Sequence, residues 1–481
     1  MSIARALSNA MSGLTAVSKG TETVAANVAN AATPGYARRE VMISPQGQGG
    51  NAGGVRIDGI ARIVTESVLA ESRSAASAQS HADTIFTFNS QMEKLVGLPA
   101  ELGSLSTRFS DFQTALLSAS SRPDDELRLT MVIDAAQEVV NKLNSLEKSV
   151  QDARNSADAA IARDVTTLNA SLEQVAYLNR RISIISAEGG NASSLMDQRQ
   201  AMIDQIALIV PVQTVTRDQN QIALFTTEGA VLLDGSQPNR LQFQPAGHLT
   251  AGQTVESGSA GVLHQDGVAL SAGAMNLYAG GSLAAHFAIR DEHGPQLQQK
   301  IDALAHNLYT VFADPSIDPS LSAGEPGFFT NSSAGGLIVS GEGLAGRISV
   351  NSSLLSDPWR IRAGIGSDNP VPAADSSQLM RFLSALSDPM GALSSESLDD
   401  KRSMLGQVSD IEASVVTARV VAEVKLAMHN SRYESITKKL FAEGVNTDVE
   451  MQKLLEYEQA YAANARIIQA VDEMINHILR L

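Results

Sequence analysis

Three arrangements in the 481-residue chain combine residue types and spacing suited to chemistry. The first is GEGLAG, in which Gly341, Gly343 and Gly346 match G-x-G-x-x-G behind the strand-like run GLIV. Such a loop serves a dinucleotide when a helix follows, so that the helix N-terminus receives the pyrophosphate. Here RISV follows, a second strand-like run, and the loop reads as a turn rather than a phosphate cradle. The second arrangement is His286, Asp291, Glu292 and His293, ligand types that suit a metal ion. The eight histidines include no H-E-x-x-H spacing, and Glu292-His293-Gly294-Pro295 reads more simply as a solvated turn before a helix. The third is the carboxylate pairs Asp124-Asp125 and Asp399-Asp400, which read as helix-start or loop charges rather than acid/base pairs. The expectation is therefore no catalytic residue, no cofactor and no metal.

Composition narrows the classes further. A formal net charge of -16 argues against a nucleic-acid surface, which needs clustered Lys and Arg; Arg38-Arg39 is too short a run to reverse that. The absence of cysteine excludes disulfides, thiolate zinc sites and cysteine nucleophiles. No stretch approaches the ~20 apolar residues of a membrane span, and MSIARALSNAMSGL lacks the apolar core of a cleaved signal. The expectation is a chain that does not insert in a membrane and that either stays in the cytosol or leaves by a route that removes nothing.

The elements that must position any site are legible at both ends. Ile3, Ala10, Val17, Val24 and Ala31 fall seven apart, with Leu7, Leu14, Thr21 and Val28 on the interleaved register, a coiled-coil stripe. In AANVANAATPGYARRE, Pro34 pushes Thr33 out of the α region, so this helix should end by about Ala32. Pro34-Gly35 then reads as a turn, with glycine supplying the positive φ of a type II third position. At the other end Leu454, Tyr461, Ile468 and Ile475 form one register and Tyr457, Asn464, Val471 and Ile478 the other. The two seams can pair inside one chain or pack against copies of it. The second alternative is the expectation, with both ends unpaired in an isolated monomer, since a lone helix gains little from propensity.

Between the ends, residues 61 to about 120 have weaker helical periodicity. SRPDDELR reads as a helix start with Pro123 in the first turn. Apolar residues from Val132 to Ile185, three and four apart, predict one helix of roughly 80 Å. A helix from Ser194 to Ile209 stops at Pro211. From Val212 short β-branched runs alternate with Asp-Gln-Asn, Glu-Gly and Asp-Gly turns. Helix returns over 283–312 and again from Ser403, where Val408, Ile411 and Val415 mark a stripe. The fold class expected is mainly α with an inserted β domain: a coiled-coil terminal domain (1–40 and 441–481), a long-helix bundle (41–210, 283–313 and 376–440), an exposed β domain (211–282) and a loop and short-strand region (314–375).

MSGLTAVSKGTETVAANVANAATPGYARRE resembles the N-terminal signature of bacterial flagellar rod, hook and hook-associated proteins, through Asn27, Asn30, Pro34, Gly35 and Tyr36. LMDQRQAMIDQIALIVPV, GGSLAAHFAIRDEHGPQLQQKIDALAHNLY and GVNTDVEMQKLLEYEQAYAANARIIQAVDEMINHIL resemble the hook-associated, junction-forming family within that superfamily. The resemblance implies a non-enzymatic ring of subunits between hook and filament, exported through the flagellar channel without a cleaved signal. The partners it implies are copies of the chain, the hook protein, a second junction protein on the filament side, and a cytosolic export chaperone at the C-terminal helix. It implies assembly contacts at Leu7, Leu14, Val17, Val24, Asn27, Asn30, Pro34, Gly35, Tyr36, Leu454, Tyr457, Tyr461, Asn464, Ile468, Val471, Ile475 and Ile478. A rod or hook subunit of the same superfamily is the alternative, and a nucleotide enzyme using 341–346 a remote one.

Overall fold

The computed structural model describes residues 3–33, 35–48, 51–99, 101–255, 257–332, 341–389 and 401–480. Helix α1 (Ile3–Ala29) ends a few residues before Gly35, whose φ of 78° and the Tyr36 N–H donated to the Thr33 carbonyl (3.2 Å) make the expected turn. Pro34 itself lies outside the described residues. The chain then forms an antiparallel hairpin of β1 (Arg39–Gln48) and β2 (Asn51–Arg62), where the sequence pattern had suggested no strand.

α2 (Glu66–Val96) and α3 (Leu105–Ser121) lead to α4 (Glu126–Ala187), a single helix of 62 residues and thus about 90 Å. Asp125 caps it by accepting the Leu127 N–H, so Asp125 is the helix-start charge expected of it, whereas Pro123 precedes the cap instead of occupying the first turn. α5 (Ser193–Ile209) stops before Pro211 as its sequence dictates.

Strands β3 (Val212–Thr216), β4 (Ile222–Thr226), β5 (Val231–Asp234) and β6 (Gln237–Pro238) form an antiparallel sheet in that order. A second small sheet joins β7 (Leu241–Gln242), β8 (His264–Gln265) and β9 (Val268–Ala269). After α6 (Ala272–Met275) comes α7 (Gly281–Ala288), which runs through a π turn over Ile289–His293 directly into α8 (Gly294–Phe312). The Glu292–Pro295 stretch is therefore helix rather than a solvated turn. Pro295 falls where the π turn gives way to α8, so its missing amide hydrogen coincides with the change of helix type instead of ending the helix.

The remaining short elements are β10 (Phe329–Asn331) paired with β11 (Ile348–Val350), α9 (Ser352–Ser356), α10 (Arg360–Ala363) and α11 (Ser377–Ser387). Two long helices close the chain: α12 (Met404–Glu443), capped by Ser403, and α13 (Thr447–Leu479), capped by Asn446.

α4 is the spine of two cores. Its first half, from Leu129 to Ala157, lies in the larger one with α3, α8, α11 and the start of α12, around Phe112, Phe312, Phe328, Phe329 and Phe382, whose ring centroids lie 5.0–6.0 Å apart. Its second half, from Ile161 to Ala176, shares a core with α5, α7 and the four-stranded sheet. Fully buried Arg154 and Arg290 mark the changeover. Arg290 pairs with Asp158 (2.7 Å) and Asp291 (2.8 Å), and Arg154 donates to the carbonyls of Arg290, Thr250 and Gln253. α12 runs antiparallel to α2, tied by Gln79–Asn430 (2.9 Å) and Arg419–Glu93 (2.7 Å). No described helix is long and apolar enough to cross a membrane.

Candidate functional site

The expected terminal seams do not stand open: α1 and α13 pack on each other within the chain. This overturns the expectation of unpaired ends. The reason is that each helix offers the other a matching seven-residue stripe, over 450–471 of α13, and an intramolecular partner needs no second chain to be found. Their register is read from three contacts. Asn27 bonds to Glu450, a Cβ on Gly20 would lie 2.5 Å from the Tyr457 ring, and a Cβ on Gly13 would lie 3.0 Å from the Asn464 amide. Each step of seven down α13 meets a step of seven back along α1, so the pair is antiparallel with a heptad repeat. Gly20 is needed for its close approach, because any side chain there pushes into the tyrosine ring.

Asn27 is fully buried at the end of this seam, and its amide is saturated. Its Nδ2 donates to the Arg39 carbonyl and to Glu450 Oε2, both at 2.9 Å. Its Oδ1 accepts the Tyr36 hydroxyl at 2.9 Å and the Arg39 N–H at 3.0 Å. One side chain thus joins α1, the Gly35 turn, β1 and α13. No aliphatic residue could do so, since two donors and two acceptors are required at one point. Burial pushes the Tyr36 phenol above its ordinary range, keeping it a hydrogen-bond donor. Glu450 is itself buried. Arg38 stands 3.9 Å from its Oε1, close enough for attraction but too long for a hydrogen bond.

A second junction fixes the hairpin to the helical body. Asp197 of α5 accepts from Arg39 (2.9 Å) and Arg62 (2.7 Å), Arg62 also donates to Gln200, and the Arg39 guanidinium lies 4.8 Å from the Tyr36 ring centre. Ser12 of α1 accepts the Val55 N–H at 3.2 Å, so the hairpin packs along the side of α1. Lys453 of α13 reaches Glu40 of β1 at 3.0 Å.

Among the residues expected at the interface, Val17, Val24, Asn27 and Val471 are buried, and Leu7, Leu14, Asn30, Gly35, Tyr36, Leu454, Tyr457, Asn464 and Ile468 are partly buried. Tyr461, Ile475 and Ile478 are exposed. The register places Met474 across from Ile3, so Ile475 and Ile478 lie beyond the described part of α1. Sequence reasoning missed Gly13, Gly20, Asp197 and Glu450. The available signal was that Gly13, Gly20 and Asn27 are themselves seven apart, one position beside the apolar stripe.

The chemically suggestive motifs have structural explanations. Asp302 inserts its buried carboxylate into the glycine loop and accepts the Gly343 N–H (2.7 Å) and the Ala345 N–H (2.9 Å). The anion seat of GEGLAG is thus filled by the chain itself, and strand β11 follows it rather than a helix. Burial raises the Asp302 carboxyl above the usual range, opposed by those amide bonds. His286 pairs with Asp164 (3.1 Å), and no group of metal-ligating side chains occurs among the described residues. GLIV and Asp399-Asp400 lie outside the described residues.

Both ends of the chain match one superfamily: residues 7–36 match the flagella basal body rod protein family, and 440–481 the flagellar basal body rod FlgEFG protein C-terminal family. These two segments are α1 with its turn and the paired α13, which places the chain in the superfamily of flagellar rod, hook and hook-associated proteins. Residues 89–314, spanning α4 and the sheets of β3–β9, match the flagellar hook-associated protein FlgK helical domain. Flagellar hook-associated protein 1 of Bacillus subtilis is 23% identical over 505 aligned positions, covering 98% of this chain and 97% of that one. Its counterpart in Salmonella typhimurium is 29% identical over 248, covering 50% of this chain and 44% of the relative. Against that relative and its Escherichia coli counterpart (27% identical), the match spans under half of their length. The flagellar hook junction protein FlgK from Burkholderia pseudomallei superimposes with a TM-score of 0.46 at 21% identity, covering 55% of this chain and 46% of that one. The chain belongs to the flagellar hook-associated protein 1 family.

Proposed function

We propose that the chain is a structural subunit of the hook–filament junction, adding to the growing flagellum as a closed α1–α13 unit and packing through the outer side of α13. The observation that carries this reading is a second apolar stripe on α13. Ile467 and Met474, seven apart, share one face and remain 45% and 47% exposed. Apolar side chains repeated at helical spacing outside a completed seam suit a contact with a neighbouring subunit. Copies of the chain, the hook protein and a second junction protein are the partners proposed for it. The same stripe, before assembly, is the surface proposed for a cytosolic export chaperone, and export without a cleaved signal belongs to the same reading.

The test contrasts two aspartates. Met474→Asp alters the outer stripe and is expected to leave thermal unfolding of the isolated protein near wild type, while cells producing it make hooks but lose flagellin to the medium. Ile468→Asp alters the partly buried seam and is expected to lower monomer stability as well. Secretion of each variant is measured first, so that an export defect is separated from an assembly defect. Wild-type filament length in cells exporting Met474→Asp normally rejects the outer stripe as the assembly face.

A further inference from the structure

A cavity of about 230 Å³ lies where the end of β2, the start of α2, α5 and the β3–β4 loop meet. Its walls bring together three guanidinium groups, Arg62, Arg73 and Arg199, with Glu66 and Asn220 beside them. The volume is several times the ~30 Å³ share of one water molecule, enough for a four-oxygen ion.

The three arginines differ in what answers their charge. Arg73 is paired with Asp204 at 2.7 Å, and Arg62 shares Asp197 with Arg39. Arg199, only 6% exposed, pairs with no carboxylate among the described residues. Its Nη1 donates to Asn179 Oδ1 (2.8 Å) and the Asn220 carbonyl (2.6 Å), and its Nε and Nη2 have no hydrogen-bond acceptor there. Burial, reinforced by the charges of Arg62 and Arg73 and opposed by Glu66, lowers its pKa to about 10, so it remains protonated at neutral pH. Arg39, Arg62, Arg73 and Arg199 face Asp197, Asp204 and the exposed Glu66, which leaves one positive charge uncompensated in a chain whose net charge is -16. These two donors belong to a side chain that lines the cavity, where a ligand that enters can accept from them.

We propose that this cavity binds a small oxyanion of phosphate or sulfate type, held by the free donors of Arg199 and flanked by Arg62 and Arg73. Guanidinium forks match the oxygen spacing of such ions, and the bound ion supplies the missing negative charge. Because Arg62 ends the hairpin and Arg199 lies on α5, the ion joins the terminal assembly to the helical body at a point independent of Asn27.

The test uses the full chain, with inorganic phosphate and sulfate as probes against chloride at matched ionic strength. Phosphate or sulfate is expected to raise the thermal midpoint by about 2 °C or more beyond chloride. Arg199→Met is expected to abolish that difference. A folded Arg199→Met variant that retains the full oxyanion effect overturns the proposal. Should that variant fail to fold, crystals of the wild-type chain soaked in selenate decide the matter. An anomalous peak between Arg199 and Arg62 supports the site, whereas a cavity without one at saturating selenate overturns it.

Discussion

Around Phe312 the helices are held apart by large apolar side chains; at Gly20, α1 and α13 are held close by the lack of one. The larger core works by bulk. Five of its seven buried phenylalanines fill space between α3, α8, α11 and the β10 strand, and apolar residues of similar volume would serve nearly as well. The terminal seam works by fit: glycines admit a tyrosine and an asparagine, and a single buried amide ends it. The difference teaches that stability and register are specified separately in this chain. A bulky core says how strongly helices associate, while a seam of small and polar residues says which turn of one meets which turn of the other.

The largest effect that would sharpen this contrast is expected from Phe312→Ala. It removes a ring in contact with four others and should cost about 3–5 kcal/mol, seen as a fall in the global thermal midpoint. Hydrogen exchange across 126–157 should accelerate with it. Asn27→Ala comes next, at about 3 kcal/mol, since it takes the hydrogen-bond partner from the part-buried Tyr36 hydroxyl and Arg39 N–H and from buried Glu450. Its effect should be local. Exchange in 3–29 and 447–479 should rise while α4 stays protected, and a uniform loss across the chain would show that seam and core are one cooperative unit.

A smaller effect is expected from Gly20→Ala, where a helix-propensity gain of about 1 kcal/mol opposes a collision with the Tyr457 ring costing about 1–3 kcal/mol. A double-mutant cycle separates the two. In a Tyr457→Ala background the same substitution should become stabilising, and equal effects in both backgrounds would mean that the glycine is not there for the tyrosine.

The smallest effect concerns pH at the α2–α12 contact. Burial lowers the pKa values of His81 and His293, with Lys425 adding to the shift in both and His429 in His81; the Gly281 carbonyl and Glu292 oppose it. The unfolded chain therefore binds protons first as pH falls below about 6.5, the ordinary histidine value, and stability is lost in that window. Thermal midpoints measured from pH 7.5 to 5.5 should fall by a few degrees, and less in His81→Gln. A flat profile would remove these histidines from the account.

The contrast also explains what the sequence disclosed. Helix α4 was legible from Val132 to Ile185 because large apolar residues repeat three and four apart, and the end of α5 because Pro211 permits no other reading. The strand after GEGLAG was legible from RISV. The hairpin over 39–62 was not, since MISPQGQGGNAGG breaks the alternation that marks a strand, and the side chains that anchor it, Ser12 and Asp197, lie on α1 and α5. Glu450 gave no sign of burial, because a carboxylate in a helix ordinarily faces water and only the amide of Asn27 makes this one tolerable. Gly13 and Gly20 were passed over for a related reason. A search for apolar periodicity weighs side chains, and their contribution is to have none.

Asn27 and Glu450 are 423 residues apart, and that separation sets an order of events. Contacts within α4 or between α4 and α5 close short loops, whereas the seam joins the two extremes of the chain and must wait until everything between them has emerged and been brought near. The seam is therefore expected to close last during folding. Local opening should begin there too, uncovering the apolar faces of both helices before the rest of the molecule loosens.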